Sequence, residues 1–539
     1  MKELRRLLGI FTLAAFPMFG ALLWTESARA ADSSGNARPN FVVILADDLG
    51  FSDIGCYGGE IATPNLDQLA ANGLRFTQFY NTGRCWPTRS CLLTGYYAQQ
   101  IRMDPPRDRL PQGTRVLPHY LKPLGYRCYH VGKWHLLGAP KPVADGGFDH
   151  SYWFEDFDRY FTPSRHFEDD KLAAPVKPED GYYTTTAFAD HAVNYLKNHA
   201  ANHAGEPFFL YIAFIAPHFP LHALPEDIAH YRDRYLEGWD AVRERRWQRL
   251  CKMGIANNAL PPLDEQLTPR YLKRDIPEIL GPGEVLHAIP WKNLNDEQKR
   301  FQAIKMAIHA AMVDREDREI GRVLDQLRAM GAFENTVIFF LSDNGADATL
   351  MVRGDGHDRT APPGSAKSFL CIGPGWASAS NAPFRRHKIW THEGGIATPL
   401  IVHWPAGIQA RGELRRDMGH VVDFVPTLLE LAGGRASEGW NGVKTLPLAG
   451  KSLVLAFARN GAVRRDFLFF RHEGNRALRM GDWKLASARE DHDAWELFNL
   501  ATDRGEMKNL ASSQSKRLQA MEAEWKRLDE EYRRQGERP

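Results

Sequence analysis

Cysteine is scarce, six in 539 residues, so the fold has to rest on buried apolar surface rather than on a disulfide scaffold. Beyond the first two dozen residues no apolar run is long enough to cross a bilayer, so no stable membrane insertion is expected. The formal net charge is only +2, which gives no overall basic field and no case for a nucleic-acid partner. Internal repeats and long low-complexity tracts are missing too. What remains is ordinary globular composition, 43% hydrophobic and 25% charged, in a chain long enough for two or three domains.

Lys2, Arg5 and Arg6 precede an apolar run from Leu7 to Trp24, and Ala28-Arg29-Ala30 follows. That is the order of a secretory signal peptide over residues 1–30, with Ala31 opening the mature chain. Pro17 and the A-x-A site argue against an uncleaved anchor. Residues 31–38 read as a polar linker. The expected destination is a periplasm or the outside.

Asn40 to Leu45 is a continuous apolar run, suited to a central parallel strand buried on both faces. It ends in Asp47 and Asp48. Adjacent carboxylates at a strand's carboxyl edge are costly without a counter-ion and are hard oxygen ligands for Ca²⁺ or Mg²⁺. Taken alone, such a pair is a common turn element. A second apolar run, Asn335 to Leu341, ends the same way in Ser342-Asp343-Asn344-Gly345. If both strands lie in one sheet, Asp47, Asp48, Asp343 and Asn344 meet at its carboxyl edge, where α/β folds place ligands.

Between these runs, the strand Gly125 to Val131 leads into Lys133 and His135, two apart and so on one side of an extended chain. The strand Pro207 to Ile215 leads into A-P-H-F-P, whose prolines fix an irregular loop with His218 at the edge. His222 reads as a loop residue. Thr63 and Pro64 open a helix. Residues 224–300 have no clean period and read as an insertion over the sheet, with a basic helix from Tyr235 to Trp247. Asp296 to Met330 keeps a helical period, and its charges read as a solvated face. Lys388 and the pair Gly394-Gly395, which permits a sharp turn, precede the strand Pro399 to Trp404. A short helix from Asp423 stops at its glycine. From Arg464 the texture changes to short strands near 467–470, 476–479, 483–485 and 496–498, then a charged amphipathic helix from Ser513 to Arg534.

The most specific stretch runs from Asn81 to Gly95, N-T-G-R-C-W-P-T-R-S-C-L-L-T-G, with C-x-P-x-R at Cys85, Pro87 and Arg89. Pro87 suits a first helical turn, where its missing N–H is no loss. Cys85 then stands at the N-terminus, where free N–H groups and the dipole favour anions, with Arg89 one turn on. Read locally, a buried cysteine before a Pro-initiated helix accounts for this short pattern equally well.

The longer signature resembles the type I, formylglycine-dependent sulfatases of the alkaline phosphatase superfamily. Nearly the whole mature chain carries the resemblance: A-D-D-L-G at Ala46, G-K-W-H at Gly132, A-P-H-F-P at Ala216, S-D-N-G at Ser342, K-x-x-x-x-E-G-G-I at Lys388, and G-D-W-K-L with E-L-F-N-L in the tail. Within the family it looks like the bacterial arylsulfatases that carry an extra G-W-D…R segment. The resemblance implies an α/β fold, a large mixed, mostly parallel sheet sandwiched by helices over residues 39–463. It adds a C-terminal subdomain over 464–539, a small antiparallel sheet plus helix.

It further implies that a formylglycine-generating enzyme, a partner in maturation, oxidises Cys85 to Cα-formylglycine, whose hydrate attacks the sulfur of a sulfate ester. Five cysteines would remain, so at least one is free or pairs with another chain. Asp47, Asp48, Asp343 and Asn344, with the modified Cys85, would hold one Ca²⁺, with Mg²⁺ the alternative. Asp343 would accept the nucleophile's proton and Arg89 would orient the hydrate. Lys133 and Lys388 would help neutralise the transferring group. His218 would protonate the leaving alcohol or phenol, and His135 would take the proton that expels sulfate. Trp86 would form part of a substrate wall, and His472-Glu-Gly-Asn475 would approach the site. The implied substrate is an aryl or carbohydrate sulfate. Two other readings stay open on sequence: a phosphonate or phosphate-diester hydrolase of the same superfamily, and a sulfated-glycan-binding protein without turnover. The intact Cys85, Arg89, His135 and His218 argue against the latter.

Overall fold

The computed structural model describes residues 38–106, 110–136, 141–272 and 275–538. The leader at 1–30 and the linker up to Ala37 lie outside the described residues. Eleven strands form the main sheet: β1 (Asn40–Ala46), β2 (Leu74–Tyr80), β3 (Arg127–Gly132), β4 (His150–Phe154), β5 (His166–Glu168), β6 (Lys171–Leu172), β7 (Phe208–Ala213), β8 (Thr336–Ser342), β9 (Ala397–His403), β10 (Glu413–Arg415) and β11 (Gly419–His420). Their spatial order is β10-β2-β9-β8-β1-β7-β3-β4-β5-β6, with β11 also beside β2. The centre, β8-β1-β7-β3-β4, is parallel, whereas β9 runs antiparallel to both β8 and β2. This is the mixed, mostly parallel sheet that the resemblance implies, with the apolar runs at its parallel centre.

Alternate residues of β1 enter two different cores: Val42, Ile44 and Ala46 one, Phe41, Val43 and Leu45 the other. A strand covered on both faces needs apolar side chains at every position, which is why β1, β7 and β8 read so clearly. β2 does not. Its sequence mixes Arg75, Thr77 and Gln78 among the apolar residues, and its register shifts between Phe76 and Phe79, so the two-residue period breaks.

The segment 224–300 is built into the same core as the sheet. Tyr235, Trp239 and Leu250 are all buried there, and Trp239, Trp291 and Trp376 pack edge-on to one another. Its helix runs Trp239–Lys252, five residues beyond the expected end at Trp247. Arg246 on that helix is fully buried, paired with Asp53 at 2.7 Å and Glu60 at 2.8 Å.

The long helix Asp296–Ala329 departs from expectation in its charges, several of which are buried rather than solvated. Lys305 pairs with Glu284 at 2.8 Å with neither side chain exposed. Asp317 accepts from the backbone N–H groups of Asn65 and Leu66, so it caps the helix Pro64–Ala71. Thr63 holds the cap position and makes no cap bond there, because its hydroxyl accepts from the Gly55 N–H instead. Glu316 has neither carboxylate oxygen partnered, and burial pushes its carboxyl well above the usual range.

Strands Leu468–His472, Asn475–Met480, Trp483–Ser487 and Trp495–Asn499 form the small antiparallel sheet, followed by the helix Ser515–Gly536. Glu393, fully buried, ties this sheet to the large one: it pairs with Lys484 at 3.0 Å and Arg504 at 2.9 Å, and accepts from the Tyr80 hydroxyl. All six cysteines are unpaired. Among the described residues no helix is long and apolar enough to cross a membrane.

Candidate active site

Strand register assembles the site. β1 and β8 pair from Asn40↔Thr336 to Ala46↔Ser342, and the Asp343 N–H continues the ladder to the Ala46 carbonyl. Asp47-Asp48 and Asp343-Asn344 therefore emerge side by side at the carboxyl edge. β3 pairs with β7 up to Gly132↔Ala213, and the Lys133 N–H bonds the Ala213 carbonyl, which brings Lys133 to the same edge. The Asp47 N–H bonds Ala216, fixing the loop that carries His218. Asp48 has φ +65° and His135 φ +50°, both in the left-handed region.

The helix Cys85–Thr94 points its first turn into this edge. Cys85 itself is its first residue and Pro87 its third. Arg89, completely buried, donates to Asp343 Oδ2 from Nε at 3.0 Å and from a terminal nitrogen at 2.8 Å, and reaches Asp47 at 3.2 Å. Lys133 Nζ pairs with Asp47 and sits 4.6 Å over the Phe157 ring. Lys388 Nζ lies 2.6 Å from Asp48 Oδ1 and 3.2 Å from Asp347. The Gly345 and Gly394 backbones approach so closely that a Cβ on either would collide with a carbonyl oxygen. These glycines thus serve close approach, and the Gly394-Gly395 pair has no positive φ.

Three acceptor oxygens in this ring are buried with no hydrogen-bond partner: Asp47 Oδ1, Asp48 Oδ2 and Asn344 Oδ1. Asn344 Nδ2 donates to Asp48 Oδ1 at 2.7 Å, so its free carbonyl oxygen turns the other way. Orphaned buried oxygens are expensive, and a set of hard oxygen donors fits a divalent cation such as Ca²⁺ or Mg²⁺. His218 closes the group, its Nε2 3.7 Å from Asp48 Oδ2. Asp343 contributes no orphan oxygen; its Oδ1 accepts from the Asp48 N–H and its Oδ2 from Arg89.

The electrostatics follow from packing four carboxylates together. Burial, with Asp47 beside it and against Arg89, pushes the Asp343 carboxyl up to about 7. Burial and its acidic neighbours hold Asp48 well above the carboxylate range, despite Lys388. Burial also works to raise the Cys85 thiol, but the ammonium groups of Lys133 and Lys388 outweigh it and lower its pKa. Burial and those same cations push His218 well below the imidazole range, and burial with Lys133 and Arg89 does so for His135. The His218 Nδ1–H donates to the Phe219 carbonyl, which leaves Nε2 facing the carboxylates.

The sulfatase family profile matches residues 39–434, most of the chain, and the profile of the N-sulphoglucosamine sulphohydrolase C-terminal region matches 385–534. The chain belongs to the sulfatase family. An uncharacterized sulfatase of Schizosaccharomyces pombe is 32% identical over 525 residues, 88% of this chain and 90% of that one. The arylsulfatase of Klebsiella aerogenes is 31% identical over 468 residues, 79% of this chain and 93% of its own. The crystal structure of Ps i-CgsB bound to k-i-k-neocarrahexaose superposes with a TM-score of 0.65 at 23% identity, covering 93% and 94% of the two chains, a likeness of fold.

In this sulfatase Cys85, Arg89, Lys133, Lys388, His218 and the four oxygen-bearing residues converge as the sequence led one to expect. His135 stands at the rim, its ring 5.9 Å from Trp86 and 5.1 Å from Phe157, with Nδ1 unpartnered. His222 is held away as a loop anchor, donating from Nε2 to the Ser368 carbonyl at 2.7 Å. Trp86 packs edge-on against His472, whose ring lies 5.4 Å from the indole. Sequence reasoning missed Asp347, three residues beyond Asn344, and it missed Arg84. The A-D that continues S-D-N-G is the only sign of Asp347, and nothing in its spacing marks it as buried.

Proposed function

We propose that this sulfatase hydrolyses sulfate monoesters with a formylglycine generated at Cys85 and a Ca²⁺ ion held by Asp47, Asp48, Asn344 and Asp343. The observation that carries this reading is the set of orphaned oxygens beside a cysteine ringed by cations. When present, the aldehyde hydrate supplies the nucleophilic hydroxyl and the cation supplies Lewis-acid stabilisation. Mg²⁺ is the competing hard cation.

The chain's own groups fit the rest of the chemistry. Arg89 is locked by Asp343, Asp47 and the Lys133 carbonyl, so it orients the group at position 85 without reorganisation. Lys133 and Lys388 converge on the same volume and offset charge on the sulfate oxygens. Asp343 accepts the nucleophile's proton. His218 presents Nε2 for transfer to the leaving oxygen, and a sulfate anion seated beside it favours the imidazolium that donates. His135, whose pKa burial and its cationic neighbours hold low, takes the proton that releases sulfate. Export to a periplasm or the outside, and maturation by a formylglycine-generating enzyme, belong to this proposal.

The test compares initial rates of purified protein on 4-nitrophenyl sulfate and on a phosphonate monoester, before and after chelation. Sulfate release in excess over phosphonate hydrolysis, lost on chelation and restored by Ca²⁺, is the expected result. Faster phosphonate hydrolysis would move the assignment to the related hydrolases, and tight binding of sulfated glycan with no turnover would make it a binding protein.

A further inference from the structure

Among the described residues around position 85, Arg89, Lys133 and Lys388 each make ion pairs and Arg84 makes none. Arg89 is paired with Asp47 and Asp343, Lys133 with Asp47, and Lys388 with Asp48 and Asp347. The exception is Arg84, the N-cap of the helix that begins at Cys85. Among the described residues its guanidinium has no hydrogen-bond or carboxylate partner, and its buried Nε is orphaned. It is held instead by rings, 5.1 Å from the centre of Trp86 and 5.6 Å from that of Tyr271. Stacking fixes the guanidinium plane and leaves its charge intact. Cys85, Asp347 and Glu473 hold its pKa up against burial from a distance, but none of them ion-pairs with it, and Glu473 is tied to Arg270 at 2.9 Å and to the Tyr271 hydroxyl.

The surface beside Arg84 is polar in a particular way. Trp86 Nε1 is a buried donor without an acceptor. His472 Nδ1 donates to Asp104 at 3.1 Å, and its Nε2, without a hydrogen bond, faces Glu473 Oε1 at 3.7 Å. A donor without an acceptor beside a cation that makes no ion pair suits a polar ring bearing a negative group better than a plain aromatic ring. We propose that Arg84 binds a second anion on the substrate, so that the preferred ester is an acidic sugar carrying a carboxylate or another sulfate beside the one cleaved. This rests on the sulfate-ester reading above and specifies its substrate class.

Two matched pairs test it, each differing in one negative charge: 3-carboxyphenyl sulfate against its carboxamide, and N-sulfated against N-acetylated glucosamine 6-sulfate. The wild type is expected to favour the anionic member of at least one pair by about tenfold or more in kcat/KM, the worth of one charge-assisted hydrogen bond. The first pair reads a carboxylate and the second a sulfate. Arg84→Gln should collapse the ratio toward one, and Arg84→Lys should restore part of it, a discrimination that general damage to the fold does not produce. A ratio near one in the wild type on both pairs, or a preference that survives Arg84→Gln, overturns the inference. No turnover of any of the four esters by protein whose Cys85 is shown converted strikes the sulfate-ester reading itself, a distinguishable result.

Discussion

Asp48 spends one carboxylate oxygen on Lys388 and Asn344 and leaves the other bare, and Asp47 and Asn344 each leave one bare oxygen beside it. A cation bound there stabilises the fold by mass action, by about 2.7 kcal/mol at a hundredfold excess over its dissociation constant. Chelation should therefore lower the Tm and added Ca²⁺ should restore it, with the restoring concentration raised in Asn344→Ala. Thermal unfolding that is indifferent to both would remove the cation from the account. His218→Ala should cost about 10²- to 10⁴-fold on an alkyl or sugar sulfate and much less on 4-nitrophenyl sulfate, whose leaving group needs no proton. Equal losses on both would take the proton-transfer role from His218. Asp47, Asp48 and Asn344 were legible because they follow apolar strands, so one pattern marks both strand and ligand, whereas Lys388 and the role of His218 came from the resemblance. Arg84 and Asp347 were not. Their importance comes from which neighbours they have or lack across the site, and spacing along the chain carries no such information.

At the scale of elements, the parallel centre of the sheet could be read from β1, β7 and β8 because burial on both faces leaves no polar position. The bulged β2 and the buried charges of the helix Asp296–Ala329 escaped for the converse reason: tertiary partners, not local pattern, satisfy them. Glu393 shows what such a partner does. Although burial alone would raise its pKa, Lys484, Arg504 and Arg479 bring it down from 4.5 to about 2. A depressed carboxylate contributes stability that is complete above about pH 4.5 and is lost as pH falls through about 2. Glu393→Gln should lose roughly 3–5 kcal/mol at neutral pH, the cost of stranding buried cations. The variant should also lack the part of acid unfolding that belongs to this range. Denaturant melts of both proteins from pH 7 to pH 2 measure this; parallel curves would contradict it.

For the whole molecule, the large sheet, the segment 224–300 and the C-terminal sheet form a joined frame around one edge. Arg246 joins the inserted helix to the Asp53–Glu60 loop that follows the Asp47-Asp48 pair, and Glu393 joins the tail to the block that carries Lys388. The central claim is that Cys85 is converted and that conversion makes the protein a catalyst. Its most direct test is the mass of the tryptic peptide Cys85-Trp-Pro-Thr-Arg89, from protein made with a formylglycine-generating system, read beside the turnover of the same preparation. The account predicts an aldehyde at position 85, in a fraction that rises in step with activity across preparations. An intact thiol there in protein that hydrolyses sulfate esters at full rate would contradict it.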